Sequence, residues 1–236
     1  MSRSQNVAEW TFNIVILVFA TSTIAQPFVI PSSSMESTLM TGDHVIVDKL
    51  AYAPAGAVTR HVLPYEEIRR GDIIVFRFPL DLSQNYVKRV IGLPGDRIRI
   101  ENKQVFRNGE KLKESYAQHI FAQREPYRDD FPSAPGPMVR PRAMEMLANS
   151  VRDGELVVPA ASLFALGDNR DNSLDSRYWG FVPRENVVGK PVIVFWSYDA
   201  PSEDLMGYSV HHVVDLAAHF FTKTRWNRTF RLVKPS

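Results

Sequence analysis

Tyr86-Val87-Lys88-Arg89-Val90-Ile91-Gly92-Leu93-Pro94-Gly95-Asp96-Arg97-Ile98-Arg99-Ile100 decides the fold. From Tyr86 to Ile91, aromatic and β-branched residues surround two cations, the composition of a strand. Leu93-Pro94-Gly95-Asp96 is a turn, because proline presets one backbone angle and glycine frees the next. Arg97-Ile98-Arg99-Ile100 alternates with period two, giving one apolar and one charged face. Strand, tight turn and strand, with no helical period between them, are the pieces of a mainly β fold.

The same pattern extends outward. His44-Val45-Ile46-Val47-Asp48 is β-rich, and Asp72 to Phe78 reads as a buried strand opened by Gly71. Gln104-Val105-Phe106, Asn108-Gly109 and Lys111-Leu112 read as a hairpin with a type I′ turn. Later strands are expected at Glu155–Val158, Ser162–Leu166 and Pro191–Ser197. Between about Tyr116 and Val151 the pattern dissolves among prolines, with one short helix expected near Ala143–Ser150. The fold class expected is mainly β. An N-terminal transmembrane helix precedes a β-rich domain of antiparallel sheets, which carries an inserted smaller β/irregular subdomain.

The helix is expected from charge and length. Trp10 to Met35 carries no charged residue, and its apolar part, 10–30, would be roughly 31 Å long as a helix, the thickness of a bilayer core. A cleavable signal peptide is the competing reading, with Thr23-Ile24-Ala25 as its cutting site. Against it, Arg3 is offset by Glu9 and Pro27 follows the site closely. Arg3 precedes the span, and no Lys or Arg follows it until Lys49, so the N-terminus is expected in the cytoplasm and the body outside.

Composition narrows the chemistry. The 236 residues suffice for one core plus a smaller subdomain. A net charge of +2 argues against a nucleic-acid partner. No cysteine is present, which excludes disulfides, thiolate catalysis and cysteine-ligated zinc. In the last segment, 201–236, Val210 to Phe221 permits an amphipathic helix, and five later cations interleave with Trp226 and Phe230. Such a tail is either laid on an anionic membrane surface or simply solvated.

Three clusters carry candidate chemistry. Ser32, Ser33 and Ser34 follow Pro31 directly after the span, and a serine needs a base to become a nucleophile near neutral pH. His44, His61, His119, His211, His212 and His219 stand in no local nucleophile–base signature, and His211, His212 and His219 lack the spacing of a metal site. Lys88 shares a strand face with Tyr86 and Val90, where a desolvated amine would accept a proton. Pattern alone nevertheless favours an edge-strand lysine pointing to water. The run Gly167 to Arg177 resembles no calcium loop, because Ser176 and Val182 stand where glycine and glutamate are required. It reads better as a hydrogen-bonded scaffold in which Asp175 and Arg177 pair.

Taken in order, these boxes resemble the bacterial type I signal peptidases, the leader peptidase family of Ser/Lys endopeptidases. The resemblance runs through Pro31–Leu39, Gly42–Val47 with Lys49, Arg70–Phe76, Tyr86–Asp96 and Gly167–Pro183. It reverses the reading of Lys88. It implies that Ser34 is the nucleophile and Lys88 the general base, and that Ser32 and the backbone N–H of Ser34 form the oxyanion hole. Ser173 would orient the Lys88 amine, while Asp175 and Arg177 hold the loop. Ile30, Met35, Leu39, Tyr86 and Val87 would line shallow pockets for small residues at the −1 and −3 positions. Ser33 and Ser37 depart from the glycine and proline frequent in the family.

The resemblance also implies an organisation and a setting. Residues 1–9 would be a short cytoplasmic tail, 10–30 the anchor, 31–105 and 156–200 the catalytic β core, 106–155 the inserted subdomain and 201–236 a basic amphipathic tail. The partners implied are preprotein signal peptides and the lipid bilayer, with no nucleic acid, no metal and no cofactor, and the chain would act as a monomer. It would cross the bacterial inner membrane once, with the catalytic domain on the periplasmic, extracytoplasmic side. Two rivals are a soluble self-cleaving repressor, which would need a DNA-binding domain where the apolar span stands, and a tethered β domain that only binds peptides.

Overall fold

The computed structural model describes residues 3–53, 65–205 and 210–235. Helix α1 (Arg3–Phe19) continues through a wider π turn to Ile24. Its apolar stretch, Asn6–Ile24, has 19 residues, enough to cross a bilayer, and none of it is buried by protein. The sequence reading carried this helix to Ile30. Instead Ala25–Val29 is a strand, β1. Pro27 is the reason: it lacks an N–H, clashes with the preceding turn and pushes Gln26 toward extended backbone. A proline is tolerated in β1 because that strand lies at a sheet edge and pairs only with β2 (Asp43–Asp48).

Two antiparallel sheets build the body. The larger runs in the spatial order β1, β2, β12 (Val187–Ser197), β3 (Ile73–Phe78), β4 (Asp81–Gly92), β10 (Ser162–Leu166), β11 (Val182–Pro183). The last strand, β13 (Arg231–Leu232), adds to β12. The smaller sheet runs β7 (Glu110–Lys111), β6 (Gln104–Arg107), β5 (Arg97–Glu101), β9 (Glu155–Val157), β8 (Val151–Arg152). Short helices α2 (Pro126–Asp129), α3 (Pro141–Ser150), α4 (Ser176–Trp179) and α5 (Ser202–Leu205) connect strands, and α6 (Val210–Lys223) leads to the C-terminus.

Local chemistry accounts for these elements. Asn108 and Gly109 both take positive φ, the type I′ geometry that turns β6 into β7. Strand β5, within the 31–105 stretch expected for the catalytic core, pairs in the smaller sheet. Its Ile98 and Ile100 are buried beside Val105, Phe131 and Leu156, while the alternating Arg97 and Arg99 stay half-exposed. A separate apolar cluster joins Ile30, Met35 and Leu39 to Val45, Val47, Ile73, Val75 and Val194. It lies directly behind the turn Ser33–Met35, so the segment after the anchor is seated on core. Each such aliphatic side chain contributes about 1.5–3 kcal/mol on burial.

The C-terminal segment is neither wholly solvated nor wholly free for a membrane. Arg228 is buried and holds Asp43 through two bonds, Nε–Oδ1 at 3.1 Å and Nη2–Oδ2 at 2.5 Å, and also donates to Thr38 O. Arg225 donates to Thr41 O at 2.8 Å. Both arginines therefore clamp the loop that carries the chain from Ser34 into β2. The chain can pass so close there because Gly42 has φ +87° and no Cβ, which would sit 1.9 Å from Tyr198 O. Replacing Arg228 by Met leaves Asp43 buried without its cation. The expected loss is about 3–5 kcal/mol of unfolding free energy, read from denaturant titration of the full chain in detergent.

Candidate active site

The site is assembled from four places in the chain. The first is the turn Ser33–Met35, a single 3-10 turn entered from extended Ser32. Ser33 needs no left-handed backbone there, so a serine fits at the position where the resemblance implied glycine. Met35 and Leu39 are fully buried and fix the turn from below. Ser34 is thereby left half-buried at the surface of the sheet.

The second is β4. It is an interior strand, paired with β3 on one side and β10 on the other, so Lys88 is not an edge residue. Only 4% of Lys88 is exposed. The pattern-based expectation of a water-facing lysine fails, because the Ser34 turn folds over this part of β4. Lys88 Nζ lies 2.7 Å from Ser34 Oγ and 3.0 Å from Val87 O. Burial lowers its pKa from the ordinary lysine value to about 8, with Asp175 and Asp168 opposing the shift.

The third is the loop after β10. Asn169 N donates to Ser34 O at 3.1 Å, and Asn169 Nδ2 donates to Ser33 O at 3.3 Å. Asn172 Nδ2 reaches Ser33 Oγ at 2.9 Å. This loop therefore grips the serine turn by its backbone. Asp175 caps α4 and pairs with Arg177 through two bonds of 2.8 Å, as the sequence reading expected of this pair. Burial alone would raise the Asp175 pKa, but Arg177 outweighs it and holds the carboxyl below its ordinary value. Gly167 allows the close approach of loop and turn: a Cβ there would lie 2.3 Å from Ser173 Oγ and 2.5 Å from Ser34 O.

The fourth is Arg89, next to Lys88 but pointing to the other face of the strand. It makes a fully buried bidentate pair with Asp168, at 2.8 and 2.7 Å. Asp168 in turn accepts the Thr38 hydroxyl at 2.5 Å. Sequence reasoning gave neither Arg89 nor Asp168 nor Asn169 a role, although all three stand inside the quoted boxes. The usable signal was an acid and a base in separate apolar strand contexts, where burial demands a partner.

Other expected residues are placed less directly. Ser32 Oγ is 3.4 Å from Ser34 Oγ. Ser173 is buried, but its hydroxyl has no hydrogen-bond partner, and Lys88 donates elsewhere. Ile30, Met35 and Leu39 sit in the apolar cluster beneath the turn, whereas Tyr86 and Val87 are half-buried on β4. Tyr86 stacks on Phe78 with ring centroids 4.2 Å apart. His61 lies outside the described residues, as do the side chains of His211 and His212.

The model of the family described as "Signal peptidase, peptidase S26" matches residues 4–196. A serine hydroxyl beside a buried amine, on a β body behind an apolar helix, thus sits in a chain that belongs to this family of serine peptidases. Similar proteins point to one member of it. Signal peptidase I of Pseudomonas fluorescens is 38% identical over 207 residues, covering 80% of this chain and 70% of the relative. Signal peptidase I of Aquifex aeolicus is 33% identical over 232 residues, covering 84% and 86%. Signal peptidase I of Pseudomonas aeruginosa is 36% identical over 204 residues, covering 80% and 70%. The activity is that of signal peptidase I, a serine endopeptidase that acts on preproteins and removes their signal peptides. The family is membrane-bound, and the apolar N-terminal helix agrees.

Gly167 ties the fold of the site to its activity. Gly167→Ala forces the loop off Ser34 O, and a displacement near 1 Å lowers kcat roughly a hundred-fold. Cleavage of a preprotein, with unfolding measured in parallel, checks this.

Proposed function

We propose that Ser34 is the nucleophile and Lys88 the general base in signal-peptide removal. The observation that carries this reading is the 2.7 Å approach of a buried amine to a serine hydroxyl. A lysine with a pKa of about 8 is substantially neutral at slightly alkaline pH and can take the serine proton. Ser34 Oγ then adds to the carbonyl carbon at the cleavage site, and the amine passes its proton to the departing nitrogen as the peptide bond breaks. Water attacks the resulting acyl-enzyme, giving up its proton to Lys88; the bond from the acyl carbon to Ser34 Oγ then breaks as Lys88 returns that proton to Oγ, and the signal peptide leaves with a free carboxylate. The Ser32 hydroxyl and the Ser34 N–H stabilise the oxyanion, each such donor being worth about 2.7–4 kcal/mol.

Ser34 Oγ and Val87 O position the amine in this scheme, Ser173 makes no hydrogen bond to it among the described residues, and Asp175 with Arg177 keeps the surrounding loop rigid. The substrate binds as an extended strand. Small residues at −1 and −3 are taken by shallow apolar pockets to which the half-buried Tyr86 and Val87 contribute, with Ile30, Met35 and Leu39 packed in the cluster beneath. The chain acts as a monomer that crosses the bacterial inner membrane once, with residues 31–200 on the extracytoplasmic side. The apolar length of α1 supports the span, and Arg3 before it with no Lys or Arg after it until Lys49 supports this orientation.

Ser34→Ala and Lys88→Ala are each expected to lower the cleavage rate by roughly ten-thousand-fold or more while leaving the fold intact. Lys88→Arg fails as well, since a guanidinium does not give up its proton. Incubation with a preprotein carrying a small-x-small site, read by mass spectrometry, decides the matter. Retained cutting by Ser34→Ala or Lys88→Ala sinks the assignment.

The pH dependence has a definite sign. Only the neutral amine acts as base, so kcat/KM climbs as pH rises toward the Lys88 pKa of about 8 and levels off above it. A profile that is flat from neutral to alkaline pH contradicts lysine as the base.

A further inference from the structure

Residues 114–118 leave the smaller sheet after β7 and return to the active-site loop. Sequence reading found no pattern there. In the structure they form a second wall around that loop, opposite the wall made by the serine turn. Gln118 N donates to Asp168 O at 2.7 Å, and Arg170 N donates to Gln118 O at 2.9 Å, a parallel bridge beside Asn169. Glu114 holds Arg170 through two bonds, at 2.8 and 2.6 Å, and Arg170 Nε donates to Gly167 O.

Tyr116 stands at the centre of this wall. Its ring lies between two guanidinium groups, 3.9 Å from that of Arg89 and 5.9 Å from that of Arg170. Its hydroxyl donates to Glu114 at 3.0 Å, and its carbonyl accepts from Ser37 Oγ at 3.4 Å. Burial, and then the Glu114 charge, push the phenol pKa to about 12, so the ring stays neutral across the working pH range. A neutral π face separates two like charges and attracts both. Without it, Arg89 loses a packed face and is held only by its bonds to Asp168, Gly71 O and Thr38, so the Arg89–Asp168 pair is less closely fixed.

The consequence reaches Ser34 by a short path. Arg89 fixes Asp168, Asp168 accepts from Thr38, and the next residue, Asn169, holds Ser34 O. The Ser37 contact brings the same ring's backbone to the other end of the serine turn.

We infer that Tyr116, packed against the guanidinium groups of Arg89 and Arg170, is a positioning residue that sets the attack geometry of Ser34 through Arg89 and the 168–169 loop, without itself bonding to Ser34 or Lys88. This rests on Ser34 being the nucleophile. It adds that the smaller sheet, through its exit segment, is part of the catalytic apparatus.

The test compares Tyr116→Phe, Tyr116→Leu and Tyr116→Ala in the full chain, reconstituted in detergent, with a preprotein substrate. Phe keeps the ring between the guanidinium groups, Leu keeps bulk without a π face, and Ala keeps neither. Ala and Leu are expected to lower kcat roughly ten- to a hundred-fold with KM nearly unchanged, and Phe to restore kcat to within about three-fold. A structural role alone would lower the melting temperature and the active fraction, which also lowers apparent kcat at unchanged KM, so kcat is referred to the fraction folded at the assay temperature and only a loss beyond that fraction counts. Should Tyr116→Ala fail to fold, the Leu and Phe pair carries the comparison. Unchanged kcat in Leu, an effect confined to KM, or equal loss in Phe and Leu overturns the inference. Ser34→Ala, run alongside, separates the two ideas: its retained activity removes the nucleophile assignment whatever the Tyr116 variants do.

Discussion

An amine serves as a base near neutral pH only where water cannot stabilise its charged form. With Lys88 as the proposed base, most of the site follows from that requirement. Seating the side chain on an interior strand and folding the serine turn over it removes the water. Two carboxylates, Asp168 and Asp175, stand close enough to pull the proton back. Each is engaged by its own arginine, Arg89 or Arg177, through paired hydrogen bonds. The acids thus supply rigid acceptors, while their arginines blunt the negative field that would otherwise keep the lysine charged.

Buried ion pairs of this kind are weak stabilisers, since desolvating both partners offsets most of their attraction. What they provide here is register between distant segments. Arg89 joins β4 to the loop after β10, and Arg228 joins the C-terminus to the loop after the serine turn. A lone 3-10 turn has no rigidity of its own, because one turn of helix fixes many dihedrals for few hydrogen bonds. Its geometry is imposed from outside: by Met35 and Leu39 beneath it, by Asn169 and Asn172 beside it, and by the C-terminal clamp behind it.

Strand content was readable because alternation and β-branched runs act locally. The segments at 44–48, 73–78 and 86–92 emerge from composition alone, and the Asp175–Arg177 pair from its spacing. The burial of Lys88 was not readable, because it depends on the serine turn folding over β4, a contact between residues 34 and 88. The end of the membrane helix was misread for a different reason. Apolar composition continues to Ile30, and only the backbone demands of Pro27 divide it into helix and strand. Tyr116 and Glu114 left no periodic trace, since their partners are single residues on other elements. The tail arginines were read as a surface charge pattern, and the acids that pair with two of them, Asp43 with the buried Arg228 and Asp199 with the half-buried Arg225, lie far away in the chain or outside the tail's own helix.

The join between helix and sheet has a mechanical side. Ile24 ends the helix, Ala25 begins β1, and Lys49 fastens the junction by donating to Ile24 O and to Ser22 O. A flexible tether would let the body roam through a hemisphere above the bilayer. Here there is no slack to roam with: ten residues separate Ile24 from Ser34, which caps the span at about 35 Å, and half of them are committed to a paired strand. The anchor therefore acts as a depth gauge. It concentrates the hydroxyl in a thin layer at one height, where effective concentration is high, and leaves chains that pass above that layer out of reach.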